Sequence, residues 1–354
     1  MPGSQNMSSI DAAYFLYKWR WLFRIFFSAC IVYGLLRSTW KRKWIPYLLM
    51  GLTAVGCYIL NFKMAADHIF YQPKKLLMVA TPANKVDLQR LVIGVVKNGI
   101  AKAYPIQYLG FHHLVADSLG GKPIIVTYCT VCRTGRIFEP VVAGKYEKFR
   151  LVGMDHFNAM FEDVSTKSWW RQVTGEAIAG KLKGQKLPEI FSTQTSLYEW
   201  LKLNPASLIM QADPSYVSSY DSTFNYENGK SKSKLTGTDS LSWKEKSWVL
   251  GVKAGMNAKA YDWNKIKTQK LIRDKIGNIN VFLILANDNK SFFAFENLPG
   301  NPPTSIVNDT LFVNGNKYKL DGSSINNSAP LKRLPVSQEF WHSWRTFNPG
   351  TEVY

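Results

Sequence analysis

Cysteine is scarce in this chain: the 354 residues contain four. Cys30 and Cys57 lie within apolar runs, where a free thiol usually serves as a small packing residue. Cys129 and Cys132 are the other two, and neither a second Cys-x-x-Cys nor a His-x-His accompanies them. Sulfur chemistry is therefore expected at this one pair.

Acidic residues are also few, with 25 Asp and Glu against 44 Lys and Arg, and the net charge is +19. Such a balance favours nucleic acid or an anionic membrane surface as a partner. No helix-turn-helix, zinc-finger or RNA-binding signature is present, so nucleic acid binding is not expected.

A glycine-rich run occupies residues 168–187, but it lacks the Lys-Ser/Thr ending of a phosphate loop. Two roles remain open for its glycines: close packing of the backbone, or the rim of a tight ligand site.

Two long apolar runs predict a membrane anchor over residues 1–75. Residues 44–62 carry no charge and are long enough to cross the hydrocarbon core as a helix. Residues 14–36 contain three basic residues, so they predict either a second transmembrane helix or an interfacial amphipathic helix. No cleavable signal peptide is recognisable. With the basic loop 37–43 in the cytoplasm, the rest of the chain would face the periplasm or the exterior, tethered beside anionic lipid.

A duplication organises the rest of the chain. Residues 93–139 align without a gap with residues 250–296, at an offset of 157 positions. In this register the Ala-Lys-Ala-Tyr at 101–104 meets the same tetrapeptide at 258–261. Short β-branched and aromatic runs between turn residues indicate antiparallel sheet in each copy.

The predicted fold is therefore mainly β with a few helices: an internally duplicated antiparallel β module, preceded by N-terminal transmembrane helices. The first module is placed at residues 76–219 and contains a helix at 196–203, which ends before Asn204-Pro205. Residues 220–240, rich in Ser, Lys, Asn and Gly, predict a flexible basic linker. The second module is placed at residues 241–354, and the modules are expected to pack together by covering their sheet edges.

The second module offers an internal comparison for function. Residues that both copies share are expected to serve the fold, and residues that one copy lacks are candidates for function. Cys129 aligns with Ala286, Cys132 with Asn289, His112 with Gln269 and His113 with Lys270. The two histidines would face opposite sides if they lay on a strand, so at most one joins a site.

Three interpretations of the cysteine pair remain open. The leading one is a soft-metal site for copper or zinc, in which Cys129 and Cys132 chelate the ion with help from His156, Met154, Met160 or His113. The second is thiol–disulfide exchange, because Cys-x-x-Cys lowers the pKa of one thiol and the adjacent Arg133 favours a thiolate. The third is a structural disulfide in a non-catalytic envelope scaffold. Metal handling or sensing, rather than substrate turnover, is the leading hypothesis.

The motifs resemble a known bacterial family, called domain of unknown function 3179. They are the Thr-Tyr-Cys-x-x-Cys strand end at 127–132, the residues Trp170, Gln172, Gly175, Glu176, Ala177, Ile178 and Gly180, and the closing segment 340–354. Thr130, Val131 and Arg133 stand where the family commonly has Pro, Leu and Asn, and many relatives have no Met-x-His at 154–156. The resemblance covers residues 85–354 and implies a bacterial origin, hence the inner (cytoplasmic) membrane, but it implies no activity.

Overall fold

The computed structural model describes residues 5–42 and 44–354, with the side chains of all of these except residues 221–224. Lys43, at the end of the predicted basic loop, lies outside the described residues. The α-helices of this part are α1 (Ile10–Lys18), α2 (Arg20–Arg37), α3 (Trp44–Tyr58), α4 (Ala66–Ile69), α5 (Ile106–His112), α6 (Leu197–Leu203), α7 (Val217–Glu227), α8 (Trp263–Gln269) and α9 (Trp341–Phe347).

Strands are the main regular secondary structure beyond the N-terminal helices, so the mainly β prediction is confirmed. Those before residue 211 are β1 (Met78–Ala80), β2 (Leu91–Lys97), β3 (Ile100–Pro105), β4 (Leu114–Leu119), β5 (Lys122–Cys129), β6 (Thr134–Phe138), β7 (Val141–Val142), β8 (Lys145–Tyr146), β9 (Phe149–Asp155), β10 (Asn158–Asp163), β11 (Trp169–Arg171), β12 (Ala177–Ala179), β13 (Glu189–Ile190), β14 (Ser192–Ser196) and β15 (Leu208–Met210). Those that follow are β16 (Trp248–Ala254), β17 (Asn257–Asp262), β18 (Leu271–Ile276), β19 (Ile279–Leu285), β20 (Phe292–Glu296), β21 (Thr304–Val307), β22 (Thr310–Val313), β23 (Asn316–Tyr318), β24 (Val336–Phe340) and β25 (Glu352–Val353).

These strands form several small sheets. The first part of the chain builds sheets in the order β1-β15-β3-β2-β14, β13-β6-β5-β4 and β12-β11-β10-β9. The second part builds β24-β16-β17-β25, β18-β19-β20 and β21-β22-β23. Most neighbours are antiparallel, while β15 beside β3 and β25 beside β17 are parallel.

Strand pairing recurs at constant offsets along the chain. Ile93 pairs with Tyr104 in one sheet, and Leu250 pairs with Tyr261 in another, 157 positions further on. The next strands recur at a second offset of 144 positions: Ile93 also pairs with Gln194, and Leu250 also pairs with Gln338. The strands β2, β3, β14 and β15 therefore have geometric counterparts in β16, β17, β24 and β25.

A glycine packed beneath a tryptophan ring occurs in both parts. A Cβ on Gly94 would lie 2.2 Å from the ring of Trp200 on α6, and a Cβ on Gly251 would lie 2.1 Å from the ring of Trp344 on α9. The two indole nitrogens donate to hydroxyls seven residues on, those of Ser207 and Thr351, at 2.8 Å in both cases. Each helix thus packs directly against its sheet through one tryptophan ring.

Two of the local predictions meet different outcomes. The helix predicted at 196–203 is confirmed as α6, where the hydroxyl of Ser196 caps the N-terminus by accepting from the Glu199 amide. The flexible linker predicted at 220–240 is wrong for its first part, because α7 covers 217–227 and buries Tyr220 and Tyr226. Two buried tyrosines hold this polar segment in place, and the Ser- and Asn-rich composition concealed them.

A π-helical turn at Ile59–Lys63 continues α3, and the joined helix Trp44–Lys63 is the one long and apolar enough to cross a membrane among the residues described. The predicted helix at 14–36 is interrupted at Trp19, where α1 and α2 meet at 65°, and the bent pair passes the same test only if it counts as one span. The cause of the bend is visible in α1, whose Tyr14 and Tyr17 rings pack on Trp169 at centroid distances of 5.0 and 5.1 Å. This docking draws α1 onto the β part of the chain.

Candidate functional site

The two cysteines lie in one hairpin turn. Cys129 ends β5 and pairs with Thr134 at the start of β6, and Arg133 takes the left-handed φ of 60° that closes the turn. Both cysteines are free thiols, with 2% and 0% of their surface exposed. Their Sγ atoms lie 3.6 and 3.4 Å from the same carbonyl oxygen, that of Phe157. The structure therefore brings the pair together in a closed environment.

A second hairpin covers the thiols. His156 and Phe157 form the two-residue turn between β9 and β10, and both have positive φ, 49° and 63°. Gln5 holds this tip, because its Oε1 accepts from the Phe157 amide at 3.0 Å and its Nε2 donates to the Met154 carbonyl at 3.3 Å. The chain just before α1 thus fastens the cover of the cysteine site.

Gln172, from the Trp-x-Gln motif, clamps the base of the cysteine hairpin. Its Nε2 donates to Thr127 Oγ1 and to the Thr134 carbonyl, both at 3.1 Å. Its Oε1 accepts from Thr134 Oγ1 at 2.6 Å and from Asn158 Nδ2 at 3.0 Å. This side chain therefore joins β5, β6 and the covering hairpin in one buried network, which explains why the two motifs occur together.

The glycine run also serves this packing. Gly175 has a φ of +65°, and a Cβ there would lie 2.6 Å from the ring of Phe138. Gly180 has a φ of +98°, and a Cβ there would lie 2.7 Å from the backbone of Ser168. Close backbone packing is thus the role that these two glycines have.

The half without cysteines supplies the surroundings of the pair. Lys246 Nζ donates to the Val131 carbonyl at 2.8 Å, and His342 Nε2 lies 3.1 Å from the same oxygen. The Phe340 amide donates to the Cys132 carbonyl at 3.0 Å. The sequence analysis did not predict that Lys246 and Phe157 contact the cysteine hairpin. Phe340 and His342 lie in the closing motif 340–354, and this motif could have indicated them.

The two thiols differ in acidity. Burial acts to raise the pKa of Cys129, but a hydrogen bond from the Cys132 thiol and bonds from the backbone of Ala159, Cys132 and Val131 outweigh it and leave this pKa below its usual value. Burial and the neighbouring Cys129 raise the pKa of Cys132 well above its usual value. The hairpin therefore favours one thiolate beside one thiol.

The other predicted ligands lie in separate settings. His113 is the left-handed residue that ends α5, not a strand residue, and its Nδ1 lies 2.8 Å from the Tyr128 carbonyl. His156 Nδ1 is bonded to Asp155 at 2.7 Å. Met154 is 37% exposed on β9, and Met160 packs with Trp169 in a separate apolar cluster.

Within the described ranges, no three His, Cys, Asp or Glu side chains converge as a metal site. Structural zinc usually takes four such ligands, so the residues present do not fit zinc. Of the predicted ligands, Cys129 and Cys132 lie together, and two soft thiolates suit copper in its Cu(I) form.

Two buried histidines predict a pH dependence of stability. Burial lowers the pKa of His113 to about 4, and burial together with the nearby Lys246 lowers that of His342 to about 4. Because these values lie below the unfolded pKa of about 6.5, the unfolded chain binds more protons between pH 6.5 and 4, and stability falls as the pH falls through this window. Each histidine should cost about 2 kcal/mol between pH 7 and pH 5.

Urea unfolding of the full-length chain in detergent at both pH values measures this cost. His342→Gln keeps an amide that can donate to the Val131 carbonyl, and this amide does not titrate. The free energy of unfolding of this variant should therefore fall by about 2 kcal/mol less between pH 7 and pH 5 than that of the unmodified chain. An unchanged pH dependence in both His342→Gln and His113→Gln would contradict the neutral, buried state of these rings.

Comparison with known proteins agrees with the motifs. No curated protein and no solved structure matches the chain. A family model described as "Protein of unknown function (DUF3179)" matches residues 75–351, which include the cysteine hairpin, its covering hairpin and residues 340–351 of the closing segment. With most of its length matched, the chain belongs to the DUF3179 family.

Proposed function

We propose that this chain is a membrane-tethered, extracytoplasmic thiol–disulfide protein whose Cys129 and Cys132 cycle between dithiol and disulfide. One observation carries the proposal: the two thiols meet at the Phe157 carbonyl with pKa values displaced in opposite directions. A nucleophile of lowered pKa beside a protonated second thiol is the arrangement that thiol–disulfide exchange needs.

The exchange balances as follows. The Cys129 thiolate attacks one sulfur of a partner disulfide, forms a mixed disulfide and releases the first partner thiolate, which takes a proton from water. Cys132 then attacks Cys129 Sγ, its proton passes to the second partner sulfur, and that thiol leaves. The partner disulfide gains two electrons, and the chain is left with a Cys129–Cys132 disulfide.

The buried position of the pair sets a condition on access. Cys129 is 2% exposed, and a partner sulfur reaches it only after the tip at His156 and Phe157 moves. Two hydrogen bonds from Gln5 hold that tip. The Phe157 ring also packs against the apolar cluster around the thiols and against the His342 ring, so opening the tip breaks these contacts and closure restricts exchange.

Tethering is supported by the helix Trp44–Lys63 and by the basic loop before it. With that loop on the cytoplasmic side, the β part lies outside the inner membrane and near anionic lipid. An oxidising compartment of this kind supplies disulfide partners.

We further propose that the two halves derive from one duplicated β module. Two observations support this proposal. The strand registers recur at offsets of 157 and 144 positions, and Trp200 and Trp344 each pack on a glycine in the same way. On this view one copy carries the thiols, and the other copy supports them through Lys246, Phe340 and His342.

Binding of Cu(I) is the second candidate. The observation that favours it is that two sulfur atoms face the same point within a closed apolar cluster. Soft thiolates are the ligands that Cu(I) prefers, and a dry shell protects the ion from water.

A redox titration separates the two candidates. The full-length chain in detergent is equilibrated in buffers of varied reduced-to-oxidised glutathione ratio, quenched by alkylation and weighed by mass spectrometry. We expect one two-electron transition assigned to Cys129 and Cys132, which Cys129→Ser abolishes and which Cys30→Ser leaves intact.

Two results would overturn the redox proposal: a pair that stays reduced in oxidised glutathione alone, or a disulfide that excess dithiothreitol does not open. Competition with a coloured Cu(I) chelator tests the second candidate on the same samples. One equivalent of Cu(I) retained by the unmodified chain and lost in Cys129→Ser would support it, and no retention would end it.

A further inference from the structure

Helix α1 carries apolar side chains on two opposite faces. The face that packs on the sheet β12-β11-β10-β9 consists of Ile10, Tyr14 and Tyr17. On the opposite face Phe15 is 53% exposed and Leu16 is 57% exposed, and Trp19, just past the end of the helix, is 45% exposed. A contiguous apolar stripe that stays exposed marks an interaction surface. The fold therefore covers one apolar face of α1 and leaves the other uncovered.

Helix α2 leaves α1 on the uncovered side. The ring of Phe15 lies 6.1 Å from the ring of Phe23 on α2, which places α2 on the side of α1 away from the sheet. The 18 residues of α2 give about 27 Å of helix, close to the thickness of the hydrocarbon core. When α2 crosses a membrane, a helix bent from it by 65° lies nearer to the membrane plane than to its normal. The uncovered face of α1 then looks toward lipid.

The residues at the bend suit a lipid–water boundary. Lys18 and Arg20 flank Trp19, and Lys18 Nζ lies 5.9 Å from the centroid of that ring. Tryptophan rings favour the level of the lipid headgroups, and basic residues beside them are attracted to anionic lipid. Asp11, the acidic residue of α1, is paired with Lys183 at 2.7 Å. The charge that α1 offers at the bend is therefore positive, which complements anionic headgroups.

Arg150, near the start of β9, joins the ends of both hydrophobic helices to the sheet. Its Nη2 donates to the Tyr17 hydroxyl at the end of α1, and its Nη1 donates to Asp67 of α4, just after the helix Trp44–Lys63, at 3.0 Å. From this point α1 runs beside the β9–β10 hairpin toward its tip, where Gln5 accepts from the Phe157 amide. The hairpin that covers the thiols therefore lies along α1.

We propose that the uncovered face of α1, formed by Ala12, Phe15, Leu16 and Trp19, rests in the anionic headgroup layer of the membrane. Helix α1 then lies between the bilayer and the sheet β12-β11-β10-β9. This orientation rests on the proposed membrane tethering and is independent of the redox role of the cysteines. It places the tip at 156–157, which covers Cys129 and Cys132, close to the membrane surface.

Fluorescence quenching of single labels tests this orientation. Leu16→Cys, Val55→Cys and Val307→Cys are made in the full-length chain with its four native cysteines changed to serine, and each is labelled with bimane. Val55, in α3, and Val307, on β21 of the other half, are 57% and 55% exposed, so all three labels start from a similar exposure. The chains are placed in vesicles of phosphatidylethanolamine with one quarter phosphatidylglycerol. Quenchers are iodide in the water, or phospholipids with a nitroxide near the headgroup or near the chain end.

We expect the Leu16 label to lose most fluorescence to the nitroxide near the headgroup, the Val55 label to the nitroxide near the chain end, and the Val307 label to iodide. Phe15→Cys, on the same face, should repeat the Leu16 result, and circular dichroism shows that each variant is folded. A Leu16 label quenched like Val307, beside a Val55 label quenched by lipid, would overturn the orientation and leave the tethering intact. A Leu16 label quenched like Val55 would overturn it too, because α1 would then enter the bilayer. A Val55 label quenched by iodide alone would remove the tethering and the orientation together.

Discussion

Gly251→Ala is expected to lower the free energy of unfolding by about 3 kcal/mol, the upper part of the usual cost of overpacking a core. The added methyl would lie 2.1 Å from two ring atoms of Trp344, a distance that real Cβ atoms do not reach. Trp344 is 1% exposed and its indole nitrogen is bonded to Thr351, so the ring cannot swing aside. Gly94→Ala should cost a similar amount, because Trp200 is seated in the same way.

Urea unfolding of the full-length chain in detergent measures both costs. Val96→Ala, on the same strand as Gly94 but 49% exposed, is the control and should change stability by less than about 1 kcal/mol. In a Trp344→Leu background the Gly251→Ala cost should largely disappear, because the clash has been removed. A cost below about 1 kcal/mol in the native background would show that the helix α9 is not packed as described.

Cys129 should be alkylated by iodoacetamide faster than Cys132 at pH 7, since the thiolate is the nucleophile and the thiol of lower pKa holds the larger thiolate fraction. The cause is the shared hydrogen bond, which lowers the pKa of Cys129 and raises that of Cys132. Cys132→Ala removes the donor, so the rate–pH profile of Cys129 should move to higher pH.

The measurement uses a Cys30→Ser, Cys57→Ser background, because both of those thiols are exposed. Peptide mass spectrometry then follows the labelling of each remaining cysteine with time. Lys246→Met should also move the Cys129 profile to higher pH, because its ammonium interacts electrostatically with both thiols. Equal labelling rates at Cys129 and Cys132 would refute the asymmetry on which the redox proposal depends.

Much of the architecture was accessible to sequence reasoning because it depends on local pattern. Alternating apolar runs with turn residues predicted the mainly β fold, and the end of the helix at 196–203 was found because Asn204-Pro205 disfavours helix there. The α7 helix was missed, because its stabilisation comes from Tyr220 packing on Tyr108 of α5 and from Tyr226 packing on Tyr128 of β5 rather than from its own composition. The bend at Trp19 was missed for the same reason, since contacts of Tyr14 and Tyr17 with Trp169 produce it.

The sequence by itself determined where to look for chemistry. Two of the four cysteines lie in apolar runs, and the segment aligned with the Cys-x-x-Cys pair has Ala286 and Asn289 in its place, which left Cys129 and Cys132 as the candidates. Only the tertiary structure decided their setting. The groups around the thiols come from distant parts of the chain. They are the carbonyl of Phe157, the side-chain amide of Gln5 that bonds to the Phe157 backbone, and Lys246 and Phe340 from the other half. Burial and hydrogen bonding set the acidity of a thiol, and these depend on which groups the fold brings to it, so spacing along the chain predicts the pair and not its reactivity.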